Sequence, residues 1–135
     1  MILVDSSAWI EFYRAGGEPL VSEAVASAIS EDLAAVNGLV QVEILPYVRT
    51  PAEYRKVASD FSAMHWLELS QAVFDLATDL GRKLRRNGIT VPATDLTIAA
   101  CAVAHETALL HFDHHYDLIA AHTPLRIAPV EQSES

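Results

Sequence analysis

At 135 residues, 51% apolar and 20% charged, the chain has the composition of one globular domain, which excludes intrinsic disorder and leaves no need for disulfides or a structural zinc to complete a core. Its net charge of −9 excludes tight non-specific binding to nucleic acid, which depends on many Lys or Arg contacts to phosphates. It does not exclude a nuclease, because a cation gathered by carboxylates inverts the local charge, and surplus acid also suits a basic protein partner.

The chain opens on a short apolar strand, Met1–Val4, that runs into Asp5-Ser6-Ser7. This N-terminus lacks a basic region and its apolar stretch is broken at once by Asp5, so it does not read as a signal peptide. A helical pattern follows from Ala8 to Tyr13 and stops at Gly16-Gly17. Pro19 to Ile29 predicts a second helix, with Leu20, Ala24, Ala28 and Val21, Val25 at helical spacing. Leu33–Val36 is a short apolar strand, broken by Asn37-Gly38, and Leu39–Val48 reads as helix. Thr50-Pro51-Ala52-Glu53 is a helix start in which Thr50 caps, Pro51 takes the first helical position and Glu53 completes the capping box; that helix runs to about Ser62.

Trp66–Leu69 reads as a strand, and Ser70 starts a long amphipathic helix with Val73, Leu76, Ala77, Leu80 and Leu84 on one face. That helix ends in Arg82, Lys83, Arg85 and Arg86, cations that suit the C-terminal dipole, before Asn87-Gly88. Pro92-Ala93-Thr94-Asp95 precedes an apolar helix, Leu96–Ala104, whose Cys101 is expected to be a buried, inert thiol. Ala108–Leu110 is a buried strand, Tyr116–Ala121 a helix, and Leu125–Ile127 an edge strand. Residues 1–130 are expected to form one domain and 131–135 a polar C-terminal tail. No apolar run approaches the ~20 residues needed to span a bilayer, so the expected setting is soluble and cytoplasmic. Strands alternating with helices predict an α/β fold with a central, mostly parallel sheet of about four to five strands, covered on both faces.

Four acidic residues are each joined to a core element: Asp5 ends the first strand, Glu43 lies inside an apolar helix, Asp95 opens another, and Asp113 follows the strand Ala108–Leu110. Sites in open parallel sheets form at the carboxyl ends of strands, which is where Asp5 and Asp113 fall. Each has an ordinary alternative. Asp5, Asp95 and Asp113 are natural helix starts, and Glu43 has a polar side to face with Gln41 and Tyr47. As a set they are anomalous, because no basic residue adjoins any of them in sequence. Clustered carboxylates repel and resist burial unless a cation or a proton compensates. Hard oxygen ligands select Mg²⁺ or Mn²⁺ over zinc, and such an ion activates water and neutralises transition-state charge in phosphate chemistry.

Met1-Ile2-Leu3-Val4-Asp5-Ser6-Ser7-Ala8-Trp9-Ile10 resembles the opening of VapC-type toxins of the PIN-domain ribonucleases. Val40-Gln41-Val42-Glu43-Ile44-Leu45, Pro92-Ala93-Thr94-Asp95-Leu96-Thr97-Ile98-Ala99-Ala100 and Leu109–Ala120 are similar to that family's second, third and fourth acidic motifs, in order. The resemblance implies a PIN-like α/β/α sandwich and hydrolysis of RNA phosphodiester bonds with Mg²⁺ or Mn²⁺. It implies a catalytic set of Asp5, Glu43, Asp95 and Asp113, with Asp5, Asp95 and Asp113 holding the metal directly or through water. Glu43 would bind through water or orient the attacking water. Ser6 would donate to a carboxylate or water, alongside or instead of capping its helix. The fourth motif departs from a common family pattern: His115 stands where many members carry a further acid, and Asp117, one helical turn after Asp113, is the candidate substitute.

The resemblance also implies a VapB-like antitoxin partner and a homodimer, with Trp9, Phe12 and Tyr13 as candidate dimer contacts, although Trp9 suits a buried core equally well. Arg82, Lys83, Arg85 and Arg86 read first as a solvated, dipole-matched helix end and second as a guide for RNA phosphates. His111, His114 and His115 are poorly spaced for zinc. Two rival readings have distinct signatures. A haloacid-dehalogenase-like phosphatase needs a second Asp two positions after the first, where this chain has Ser7. A catalytically inactive PIN domain that only binds protein or RNA would have no use for all four acids.

Overall fold

The computed structural model describes residues 1–130, so the tail expected at 131–135 lies outside the described residues. Four strands, β1 (Ile2–Val4), β2 (Ala34–Val36), β3 (His65–Trp66) and β4 (Ala108–Leu110), pair in the order β3-β2-β1-β4, all parallel. The helices are α1 (Ser6–Tyr13), α2 (Pro19–Ser30), α3 (Gly38–Ile44), α4 (Pro51–Ser62), α5 (Gln71–Arg86), α6 (Ala93–Ala104) and α7 (His114–His122). The chain leaves β1 toward β2 and β3, then crosses back to place β4 on the other side of β1. Right-handed crossovers put the helices of the outward and return paths on opposite faces. Accordingly α1 packs with α2 and α3, while α5 packs on α6 and α7.

The α/β/α sandwich expected from the sequence is present, with β1, β2 and β4 largely buried and the edge strand β3 exposing Trp66. Leu3, Val4, Ala35, Val36, Leu109 and Leu110 are almost wholly excluded from solvent, and Ile98 and Ile119 pack with them. Burying each large aliphatic side chain contributes roughly 1.5–3 kcal/mol. Trp9 is fully buried against Phe12, Tyr13 and Phe61, which settles it as a core residue and removes it from the candidate dimer contacts. Cys101 is a free, buried thiol, as expected. Gly17 has a steric reason: a Cβ there would collide with the Glu11 carbonyl oxygen.

Three elements differ from expectation, each for a local reason. The helix predicted over Leu39–Val48 stops at Ile44 and tightens into a 3₁₀ turn, Leu45–Tyr47. Pro46 causes this, because it has no N–H to donate back into the helix and its ring crowds the preceding turn. The strand predicted over Trp66–Leu69 is only His65–Trp66, with Leu67 N–H donating to Val36 O at 2.9 Å. Its neighbour β2 ends at Val36 and turns into α3, so no partner remains for Glu68 and Leu69. The edge strand predicted over Leu125–Ile127 is a single parallel bridge, Leu109 to Ile127. It is held by Leu109 N–H to Arg126 O at 2.9 Å and Ala128 N–H to Leu109 O at 2.8 Å.

Candidate active site

The carboxyl edge of the sheet is where the chain repeatedly turns from strand into helix, and those turns need capping oxygens. Asp5 caps α1: its Oδ2 accepts from Ser7 N–H at 3.0 Å and from Ser7 Oγ–H at 2.6 Å. Ser7 Oγ in turn accepts from Phe112 N–H at 2.9 Å, tying the end of β1 to the loop after β4. Asp113 caps α7 through Oδ1, which accepts from His115 N–H at 3.0 Å. Asn37, fully buried, caps α3 through Val40 N–H at 3.0 Å and donates its amide to Cys101 Sγ at 3.5 Å. That cap aims the helix carrying Glu43. Asp95 lies in the first turn of α6, where the helix dipole favours a negative charge. The ordinary helix-start role and the clustered role therefore coexist at Asp5 and Asp113.

Two side chains knit the carboxylates together. Tyr116, buried in α7, donates its hydroxyl to Asp5 Oδ1 at 2.8 Å and lies 3.4 Å from Asp95 Oδ1. His115 Nδ1 lies 2.9 Å from Asp95 Oδ2 and 3.3 Å from Asp113 Oδ1. Glu43 completes the group from α3. Its Oε1 is buried with no hydrogen-bond partner. Burial first, then the charges of Asp5 and Asp95, push the Glu43 carboxyl up to about 7, against a smaller opposing effect of the Ser6 hydroxyl. Burial also lifts Asp95; the His115 hydrogen bond opposes this, and Asp113 and Asp5 add to it. The Tyr116 phenol is raised far above its usual range by burial and by Asp5, Asp95 and Glu43, so it remains a donor. Among the described residues, no Lys or Arg pairs with any of the four acids; the lysine and arginine ion pairs are Arg14–Glu11 and Lys56–Asp60.

Of the candidate residues, Asp5, Glu43 and Asp95 lie close enough to oppose one another's ionisation, Asp113 does so to Asp95, and Ser6 acts on Glu43. Asp117 does not join them. It is largely exposed and lies 3.4 Å from His111 Nε2, and the His111 ring packs 5.1 Å from that of Tyr116. Arg82, Lys83, Arg85 and Arg86 are exposed at the C-terminal end of α5, the last three in its final turn. Gly81 of α5 packs against Leu96, next in chain to Asp95, so this cationic turn sits at the Asp95 end of the α5–α6 pair. Ser7, Asn37 and Tyr116 were not singled out by sequence. The only available signals were the doubled hydroxyls after Asp5, the strand-breaking Asn37-Gly38, and a tyrosine three residues after Asp113.

Beside Glu43, a groove of about 900 Å³ runs between α1, α3 and α4. Ile10, Ile44 and Val57 lend it apolar surface, and Arg14, Arg49 and Lys56 bring cations to it.

The donor set fits a divalent cation: carboxylates that oppose one another's ionisation, one Glu43 oxygen buried without a partner, and, among the described residues, no Lys or Arg paired with them. The PIN domain family model matches residues 2–121. Ribonuclease VapC11 of Mycobacterium tuberculosis is 33% identical over 132 residues, covering 95% of this chain and 98% of that protein. VapBC2 from Rickettsia felis, solved bound to a DNA fragment from their promoter, has a similar fold: TM-score 0.74 at 14% identity, over 95% of this chain and 98% of that one. A toxin-antitoxin complex from Klebsiella pneumoniae gives a TM-score of 0.64 at 15% identity, over 81% and 83% of the two chains.

Proposed function

The chain belongs to the PIN domain family, and from that membership we propose that it is a metal-dependent endoribonuclease, the toxin of a toxin–antitoxin pair. The observation that carries this reading is the meeting of four carboxylates from four separate elements, with Glu43 Oε1 buried and unpartnered among them. Asp5, Asp95 and Asp113 would hold Mg²⁺ or Mn²⁺, directly or through water. Such an ion supplies charge neutralisation at the scissile phosphate and lowers the pKa of water.

The protein's own groups do the rest. Glu43, its carboxyl raised to about 7, would accept a hydrogen bond from the attacking water at Oε1 and take its proton as the new O–P bond forms, while the bond to the leaving ribose oxygen breaks and that oxygen takes a proton from solvent. Tyr116 and Ser7 hold Asp5 in one orientation, so that the site is organised before substrate arrives. Arg82, Lys83, Arg85 and Arg86 guide RNA phosphates toward an otherwise acidic edge. The groove beside Glu43 suits the tail of a VapB-like antitoxin, its apolar surface taking aliphatic side chains and Arg49, which has no ion pair among the described residues, taking an acid. A homodimer acting in the cytoplasm, where its RNA substrate is found, completes the reading; among the described residues no helix is long and apolar enough to cross a membrane.

The test is RNA cleavage by purified, antitoxin-free protein with added Mn²⁺. Cleavage should vanish in chelator and in Asp5→Asn and Asp95→Asn. If the wild-type protein binds a partner yet cleaves no RNA under any divalent ion, the chain is a binding module and the nuclease assignment fails.

A further inference from the structure

In an all-carboxylate site His115 would be out of place, yet its ring nitrogen stands among the carboxylate oxygens. Nδ1 lies 2.9 Å from Asp95 Oδ2 and 3.3 Å from Asp113 Oδ1, and its side chain is only 31% exposed. Neighbouring ligands of a six-coordinate ion with bonds of about 2.1 Å are separated by about 3 Å. Nδ1 therefore stands at the spacing of adjacent octahedral positions from one oxygen of Asp95 and from one oxygen of Asp113, each taken singly. The backbone helps: His115 N–H donates to Asp113 Oδ1 at 3.0 Å, which fixes the first turn of α7 relative to that carboxylate. Asp113, His114 and His115 can each offer an atom within 4.8 Å of the others, but His114 is 80% exposed and its Nδ1 is 3.7 Å from Asp113 Oδ1.

We propose that His115 Nδ1 is a direct ligand of the ion held by Asp95 and Asp113, and that this nitrogen makes the site select Mn²⁺ over Mg²⁺. This rests on the reading of the carboxylate cluster as a metal centre. The ion takes the place of the proton that links Nδ1 to Asp95. Mg²⁺ favours oxygen donors and parts reluctantly with its waters, whereas Mn²⁺ accepts the same six-coordinate carboxylate geometry and also bonds imidazole.

The test uses Mn²⁺ and Mg²⁺ alone, without RNA, on the full antitoxin-free chain. Pulsed electron paramagnetic resonance of the Mn²⁺-loaded wild type should show the ¹⁴N coupling of a directly bonded imidazole. The coupling should persist in His114→Ala and vanish in His115→Asp and His115→Gln. Competition titration should show the wild-type preference for Mn²⁺ over Mg²⁺ falling on the order of tenfold in His115→Asp, which restores an all-oxygen set. Mn²⁺ bound without nitrogen coupling, or an unchanged preference in His115→Asp, overturns this proposal and leaves the nuclease reading intact. Failure of the wild type to bind either ion overturns both.

Discussion

Replacing Glu43 with glutamine should stabilise the metal-free protein while impairing the enzyme. The folded-state carboxyl titrates at about 7 against a reference of 4.5, because burial and the charges of Asp5 and Asp95 oppose its ionisation. Below pH ~4.5 the group is protonated in folded and unfolded chains alike and contributes no difference. From there to pH ~7 the unfolded chain releases the proton and the folded chain keeps it, so wild-type stability declines as pH rises. Above pH ~7 the penalty is complete. At ~1.36 kcal/mol per pKa unit the ceiling is ~3 kcal/mol, and solvent screening of a half-buried group reduces this to ~1–2 kcal/mol. Unfolding entropy of roughly 2.1 cal/mol/K per residue converts that to a gain in Tm of about 4–7 °C for a chain of this size.

The assay is thermal unfolding of wild type and Glu43→Gln in chelator across pH 5 to 8.5. Asp95 also titrates high, so the quantity that matters is the gap between the two proteins. That gap should open as pH rises to 7 and stay level above it. Saturating Mn²⁺ should raise the wild-type Tm more than that of the variant, because the ion relieves a repulsion the variant no longer has. A variant that melts at or below the wild type at pH 8.5 in chelator would refute the claim that Glu43 is held in the cluster against its own charge.

Tyr116→Phe removes the donor to Asp5 and Asp95 and leaves a buried carboxylate oxygen unpaired. It should lower metal-free stability by about 1.5–3 kcal/mol, read as a lower urea midpoint with an unchanged slope. Asn37→Ala removes the cap of the helix carrying Glu43 and should cost ~1–2 kcal/mol by the same unfolding measurement, with RNA cleavage reduced as that helix loosens. Changing Arg82, Lys83, Arg85 and Arg86 together to Gln should raise KM for RNA about tenfold at low salt, leave kcat unchanged and flatten the dependence of KM on salt; an unaltered salt dependence would confine that turn to a structural role.

Much of this molecule was written in short-range patterns. Alternating strand and helix segments announced the parallel sandwich, and Asp5 and Asp113 were placed at the carboxyl edge by their positions just after β1 and β4. Cap chemistry at Thr50 and the basic last turn of α5 were local as well. Even the errors were local ones: Pro46 lay in view inside the segment read as helix. What no local pattern could supply is which side chains meet across the sheet. Tyr116 reaches Asp5 over 111 positions of sequence, His115 reaches Asp95 over 20, and Asn37 reaches Cys101 over 64. Such pairings depend on the crossover that sets β4 beside β1, and on the rotation of α7 that turns Tyr116 and His115 inward and Asp117 outward. Periodicity tells which face of a helix is apolar. Only packing decides which polar group on that face finds a partner.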